Sequence, residues 1–168
     1  MSAALPDRVD VSRQVQARRT FEGILPLAGL HRLLGSLASG EGGVRYVAEF
    51  GRDELGVAFL ALRIDAGLPM VCQRTLETFV FQVSIDQRLG LIDDEHGEAA
   101  LPPGYEPLLV TGGVLSVADV IEDELILALP VVPLKPGAPL EWKDHADDVE
   151  SEPRQPSPFA VLGSLKKH

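Results

Sequence analysis

Cysteine and positive charge are both scarce in this sequence. A single cysteine, Cys72, among 168 residues excludes an internal disulfide and a zinc site built from several cysteines of one chain. Fifteen Lys and Arg stand against 25 Asp and Glu, a formal net charge of −10, which argues against non-specific attraction to nucleic acid or anionic membranes. No uncharged apolar run of about 18 residues occurs, and the N-terminus lacks a secretory pattern. We therefore expect a cytoplasmic protein without membrane association.

The few positive charges are unevenly placed. Residues 1–52 hold seven Lys and Arg against five Asp and Glu, whereas residues 53–168 hold eight against twenty. Arg8, Arg13, Arg18 and Arg19 lie close together in the sequence. A basic surface can therefore form only near the N-terminus, or at the end of the sequence with Lys166 and Lys167.

The clearest helical pattern spans Val117–Leu129. Its apolar residues recur at helical spacing, with Glu122, Asp123 and Glu124 between them, which predicts an amphipathic helix. Ser116 is a suitable N-cap, and Pro130 should end the helix. The pattern alone assigns the three acids to a solvated face.

The rest of the chain predicts short strands and one further helix. Alternating apolar residues over Val44–Leu89 predict an antiparallel meander, with a break at Gly67–Pro69. Pro26 should begin a helix, whose apolar positions are Leu27, Leu30, Leu33, Leu34 and Leu37. Residues 1–20 read as an arm or an edge strand, and Tyr105–Val110 as a further strand.

These elements predict an α+β fold, an antiparallel β meander or partly open barrel with two main helices and a tethered short C-terminal helix. Residues 1–133 would form the domain, including the N-terminal arm. Residues 134–157 are acidic and rich in proline, which is typical of a flexible segment. Residues 158–168, with Phe159 and Leu162 at near-helical spacing, would form a docking helix.

No set of residues predicts catalysis. The four histidines lack the spacing of a metal site, and the consecutive acids would make at most a weak divalent-ion patch. Cys72 reads as a small buried hydrophobe, with a nucleophile or ligand as the alternative. No catalytic residue, metal or cofactor is therefore predicted.

Three stretches match one known family in order and spacing. MVCQRTLE begins at Met70, LPPGYEP at Leu101 is followed by VIEDELILALPVVP at Val120, and PSPFAVLGSLK begins at Pro156. Together they resemble the bacterial YceD family of large ribosomal RNA subunit accumulation proteins. That resemblance implies a non-enzymatic role in the synthesis or accumulation of 23S ribosomal RNA and in large-subunit assembly.

The chain departs from the family pattern at three places. Thr75 stands where the family turn usually has a second cysteine, and Lys135–Trp142 lacks the further cysteines that many relatives carry after this point. Cys72 alone would not hold a structural zinc. The turn must therefore be stable without metal. Ser157 replaces the usual asparagine before Pro158.

The resemblance leaves the direct partner open. For 23S ribosomal RNA or a pre-50S particle, Arg74 is the candidate that matches the family turn, and Arg13, Arg18 and Arg19 are candidates on local charge alone. The alternative is an acidic adaptor for a basic ribosomal protein. Candidate residues for a partner contact are Glu122, Asp123, Glu124 and Phe159. We expect charge reversal at Glu122 and Glu124 to leave the fold intact while weakening ribosomal association. The oligomeric state is not specified by the sequence.

Overall fold

The computed structural model describes residues 5–137. A boundary between two compact units falls after Pro136, so the described residues represent the first unit. Two predictions lie outside the described residues: the part of the segment 134–157 that follows residue 137, and the helix 158–168. In chain order the elements are β1 (Val9–Asp10), α1 (Val11–Ala17), β2 (Thr20–Pro26), α2 (His31–Leu34), β3 (Gly43–Arg52), β4 (Ala58–Val71), β5 (Thr78–Ile92), β6 (Glu106–Leu109), β7 (Val114–Leu115) and α3 (Val117–Leu127).

A five-stranded mixed sheet in the order β2-β3-β4-β5-β6 forms the framework, and β1 pairs with β7 in a second, two-stranded sheet. The pairs from β2 to β5 are antiparallel, and for β3, β4 and β5 the alternating pattern predicts this pairing. Strands β4 and β5, of 14 and 15 residues, form the longest hairpin. Because successive side chains of a strand point to opposite faces, one face of the sheet carries the core. In β3 that face buries Val44, Tyr46, Ala48 and Phe50.

The predicted break at Gly67–Pro69 is wrong, because β4 continues through it to Val71. The last β4 residue that pairs with β3 is Ala66, so among the described residues β5 is the only strand paired with β4 at Pro69. The amide of Cys72 donates towards the β5 side, to the Glu77 carbonyl, at 2.9 Å. Because successive residues of a strand direct their amides to opposite sides, the nitrogen of Pro69, three residues earlier, faces away from β5. The missing amide hydrogen therefore costs the sheet no bond.

Two further expectations about the sheet and helices are corrected. Strand β6 pairs with β5 in parallel, so the fold is not a pure antiparallel meander. The long connection from Ile92 to Glu106, which includes a 3₁₀ helix over Glu95–Ala100, provides the crossover that parallel pairing needs. Within residues 5–137 the sheet does not close into a barrel, since β2 and β6 remain at its edges.

The helix expected after Pro26 is also interrupted. Pro26 ends β2, a 3₁₀ turn covers Leu27–Gly29, and non-helical Leu30 separates that turn from the four residues of α2. Residues 11–17, read as part of an arm or edge strand, form α1 instead. Asp10 caps α1 by accepting from the Arg13 amide at 2.8 Å, and two valines spaced by one helical turn bury its inner side.

Helix α3 is confirmed together with its cap. The Ser116 side chain accepts from the Asp119 amide at 3.2 Å, and the helix buries Val117, Val120, Ile121 and Leu125. The helix ends at Leu127, two residues before the predicted limit. Its apolar stripe faces the core, as the periodicity predicts.

Glu122 is not a surface residue, and this corrects the interpretation of the acids in α3. Only 6% of Glu122 is exposed. Its Oε1 accepts from the amides of Arg32 and Leu33 at 2.7 and 3.1 Å, and its Oε2 accepts from Arg32 Nε at 2.9 Å. The carboxylate thus caps the first turn of α2 from a distant helix, since Leu30 supplies no side-chain cap. Charge reversal at Glu122 would disrupt the fold.

We predict that Glu122→Gln lowers the free energy of unfolding by about 2 kcal/mol, because it removes the charge from a buried group with charge-assisted hydrogen bonds. Denaturant unfolding at neutral pH measures the change. The matched control is Glu124→Gln, where burial and the carboxylates of Glu106 and Asp123 raise the pKa of Glu124. That control should leave stability unchanged or raise it. Equal destabilisation by both changes would contradict this account.

The same carboxylate makes stability depend on pH. Burial opposes ionisation of Glu122, but the amides of Leu33 and Arg32 and the Arg32 guanidinium lower its pKa below the ordinary 4.5. A lowered pKa means that the stabilisation is complete above the unfolded-state value and is lost as pH falls through the folded-state value. The stability difference between wild type and Glu122→Gln should therefore shrink below about pH 4.5. A difference that stays constant into acid would contradict the assignment.

Candidate functional site at the tip of the longest hairpin

The turn that joins β4 to β5 contains the first family motif, at residues 72–77. The Cys72 amide donates to the Glu77 carbonyl at 2.9 Å, and the Leu76 amide donates to the Cys72 carbonyl at 2.8 Å. Leu76 has a φ of 59°, in the left-handed region, and 77% of the residue is exposed. For a leucine this conformation costs about 1 kcal/mol. The turn therefore presents an apolar side chain to solvent from a strained position.

Cys72 is fully buried, which confirms that it packs as a small hydrophobe. The Lys135 amide donates to its Sγ at 3.3 Å. That amide, followed by the hydroxyl and the amide of Thr75, lowers the pKa of the thiol to about 6 despite an opposing effect of desolvation. The Thr75 hydroxyl thus hydrogen-bonds the sulfur from the position where the family usually has its second cysteine. Backbone and hydroxyl donors stabilise this turn.

The turn residues do not fit a zinc ion. A structural zinc needs about four ligands, and Cys72 supplies one thiolate. Over residues 5–137, no group of three or more His, Cys, Asp or Glu is arranged to hold a metal. The alternative role of Cys72 as a metal ligand therefore has no support in the described part of the chain.

The segment after α3 is joined to the same turn by hydrogen bonds and an ion pair. We call residues 130–135 the post-helix segment. The Gln73 amide donates to the Pro133 carbonyl at 2.9 Å, and Lys135 Nζ lies 2.9 Å from Glu77 Oε2. Hydrogen bonding and charge from Lys135 lower the pKa of Glu77. Two family motifs that are about 60 residues apart thus meet at one end of the hairpin.

A shallow cavity lies beside this junction. Its volume is about 430 Å³, and it is lined by Gly35, Ser36, Leu37, Ala38, Val71, Gln73, Leu76 and Pro133. The Ala38 amide donates to the Pro69 carbonyl at 2.7 Å, which holds the chain after α2 against the end of β4. The turn, the post-helix segment and the chain after α2 therefore share one surface.

The four candidate arginines do not come together. Arg74 is exposed in the turn, whereas Arg13 is exposed in the first turn of α1, and Arg18 and Arg19 are exposed just after its end. Thr20, the residue after Arg19, lies directly across β3 from Ala61 in β4. Ala61 is ten residues before Val71, the last residue of β4. At about 3.3 Å per residue, the two sets are separated by about 33 Å along the sheet. The open face between them carries charges of both signs, because Arg45 and Arg63 lie opposite Asp65 and Asp86 across the strands, and Glu22 and Glu49 lie on the same face.

The three consecutive acids of α3 have three different environments. Glu122 is buried in its cap of α2, and exposed Asp123 forms an ion pair with Arg32 Nη1 at 2.5 Å. Glu124 is half-buried, and its raised pKa reflects burial and the nearby carboxylates of Glu106 and Asp123. Asp123 and Glu124 therefore remain candidates for a partner contact, while Glu122 has a structural role. Phe159 lies outside the described residues.

Sequence reasoning missed the roles of Arg32, Thr75 and Lys135. Arg32 and Glu122 are 90 residues apart, and no local pattern identifies such a pair. In the sequence, Thr75 is conspicuous only as a missing cysteine, although its hydroxyl is a hydrogen-bond donor to the neighbouring sulfur. Lys135 acts largely through its backbone amide, which no side-chain motif reveals.

The fold and the tip surface define a small α+β protein in which motif-bearing segments meet around a turn with a single cysteine. The chain belongs to the YceD family: the family model described as "Large ribosomal RNA subunit accumulation protein YceD" matches residues 60–166. The chain is also 26% identical over 168 residues to the large ribosomal RNA subunit accumulation protein YceD of Haemophilus influenzae, covering 97% of both chains. No solved structure matches the chain.

We predict that Thr75→Val raises the pKa of Cys72 from about 6 towards its ordinary 9, because the change removes a donor to the sulfur. The ultraviolet absorbance of the thiolate as a function of pH measures this value. Thr78→Val is the matched control, since Thr78 is an exposed threonine at the start of β5. An unchanged midpoint in Thr75→Val would show that the hydroxyl does not act on the sulfur.

Proposed function

We propose that this protein supports the accumulation of 23S ribosomal RNA and large-subunit assembly as a non-enzymatic cytoplasmic factor. The match of residues 60–166 to the family model carries the proposal, and the family motifs of the turn and of the post-helix segment form one surface at the hairpin tip. The Haemophilus influenzae relative, named for large ribosomal RNA subunit accumulation, aligns over nearly the whole chain. Among residues 5–137, no helix is long and apolar enough to span a membrane.

Contact with RNA is one candidate mode of action. Arg74 would then contact phosphate at the tip, with Arg13, Arg18 and Arg19 forming a separate basic group. Because the two groups are about 33 Å apart, one RNA helix would have to extend along the sheet to reach both. Each phosphate contact would make binding weaker at higher salt.

Contact with a basic ribosomal protein is the second candidate, and the charge distribution favours it. Residues 5–137 hold eleven Lys and Arg against nineteen Asp and Glu, a difference of −8. Glu106 and Glu124 are close enough for one carboxylate to raise the pKa of the other. A cationic partner would relieve that repulsion. Asp123, Glu124 and, from the C-terminal sequence, Phe159 remain the candidate contacts.

We predict that cells depleted of the protein accumulate less 23S ribosomal RNA and that the protein co-migrates with pre-50S material in a sucrose gradient. Gradients at low and high salt separate the two modes, because phosphate contacts are lost as counterions compete. Retention at high salt favours a protein partner, and loss at moderate salt favours RNA. Normal levels of 23S ribosomal RNA after depletion would contradict the proposed function.

A further inference from the structure

The side of β5 that faces away from β4 is open over most of its length. Strand β6 pairs only with residues 89–92 of β5. The Cys72 amide donates to the Glu77 carbonyl, so by alternation the odd-numbered residues of β5 bond to β4, and the even-numbered residues direct their amides and carbonyls away from it. Before β6 begins, five exposed residues face outwards in this way: Thr78, Val80, Gln82, Ser84 and Asp86. Within residues 5–137 no other segment bonds to their backbone groups.

The sequence of this edge does nothing to discourage pairing with another strand. Natural proteins protect open edges with proline, lysine or a bulge. Residues 78–86 contain neither proline nor lysine, and their pairing with β4 is continuous, without a bulge. The one charge among them is that of Asp86, at the end. A regular edge rich in aromatic and β-branched residues pairs readily, so we expect another strand to occupy it.

We infer that the open edge of β5 pairs with the same edge of a second copy, so that the two sheets join as an antiparallel homodimer about a two-fold axis at Gln82. Val80 then faces Ser84 of the second copy. Thr78 faces Asp86, whose carboxylate accepts from the threonine hydroxyl. Five outward residues from each copy form ten hydrogen bonds across the axis, about the number in a standard protein interface. The inference does not depend on the proposed function.

The side chains on the core face of β5 favour a second copy as the partner. Phe79 and Val83 are buried there, and Phe81 and Ile85 are partly buried against the core. Two aromatic residues thus precede Gln82 on this face and two β-branched residues follow it, which a two-fold axis makes complementary. Phe81 lies beside Val83 of the second copy, and Phe79 beside Ile85. These pairs occupy the closely spaced positions between hydrogen-bonded rows, where aromatic and β-branched side chains stabilise a sheet.

Shifts of this register are less favourable in both directions. A shift by two residues towards β6 would place Thr78 opposite Arg88, next to the chain that enters β6 at Glu106, because Glu106 is level with Leu89. A shift by two residues the other way leaves four outward residues in each copy and eight hydrogen bonds. In the favoured register the one charge of the edge, Asp86, lies opposite Thr78, so no like charges face each other.

Sedimentation of the full-length protein over a range of concentrations tests the inference. Wild type should form a dimer, and Gln82→Lys and Gln82→Glu should each raise the dissociation constant by about tenfold or more, because each places like charges opposite one another at the axis. An equimolar mixture of the two variants should associate as wild type does, since Lys then faces Glu. Gln82 is exposed, so both variants should keep the wild-type melting temperature. Ile24→Lys is the matched control, because Ile24 is 68% exposed in β2 at the opposite edge of the sheet.

Three outcomes of sedimentation would overturn the inference. A wild-type protein that stays monomeric up to about 100 μM would leave the edge to a strand of another protein. A mixture of Gln82→Lys and Gln82→Glu that associates no better than either variant alone would show that residue 82 does not face its own copy. Loss of the dimer in Ile24→Lys, with both Gln82 variants dimeric, would place the interface at β2.

Amide hydrogen exchange locates the interface within the dimer. The outward amides of Val80, Gln82 and Ser84 should exchange about tenfold or more slowly at concentrations where the dimer predominates than in dilute protein. The amides of Phe81 and Val83, which face β4, should be protected at both concentrations and serve as the internal control. Rapid exchange of the outward amides in a dimeric sample would show that another surface forms the dimer, and the inference would be wrong.

Discussion

The hydrogen bond from the Lys135 amide to the Cys72 sulfur is the contact on which the tip of this protein depends. It joins residues 63 positions apart, and the Gln73 bond to Pro133 and the Lys135–Glu77 ion pair lie on either side of it. A sulfur that accepts hydrogen bonds is a stronger acceptor as a thiolate, and the donors around Cys72 lower its pKa to about 6. The turn thereby becomes the anchor for the post-helix segment without a second cysteine.

A second long-range junction positions the residues after α2, which line the other side of the cavity at the hairpin tip. Glu122 holds the first turn of α2 from within α3, and the chain that leaves α2 continues to Ala38, which is bonded to Pro69 at the end of β4. The helix that ends just before the post-helix segment therefore also positions the residues that line the cavity. A substitution at Glu122 would therefore alter the tip by displacing α2, and not by removing a surface charge.

The sequence predicted those features that local physics determines. Helix α3 and its Ser116 cap follow from periodicity and one hydroxyl, and the three long antiparallel strands follow from alternation and short turns. The continuity of β4 through Pro69 could not be predicted, because it depends on the pairing between β3 and β4 stopping at Ala66. The short α2 depends on a cap supplied by Glu122, 89 residues beyond Leu33. Of the candidate site, the family turn was predicted correctly, but its contact with Lys135 required the fold.

Amide hydrogen exchange at Gln73 and Lys135 tests the central claim most directly. In wild type both amides should be protected, since they donate to Pro133 and to the Cys72 sulfur. In Cys72→Ala, Lys135 should exchange freely and Gln73 should lose much of its protection, while amides in the middle of β4 remain protected. Rapid exchange of Lys135 in wild type, or unchanged protection in Cys72→Ala, would contradict the account that the turn anchors the post-helix segment.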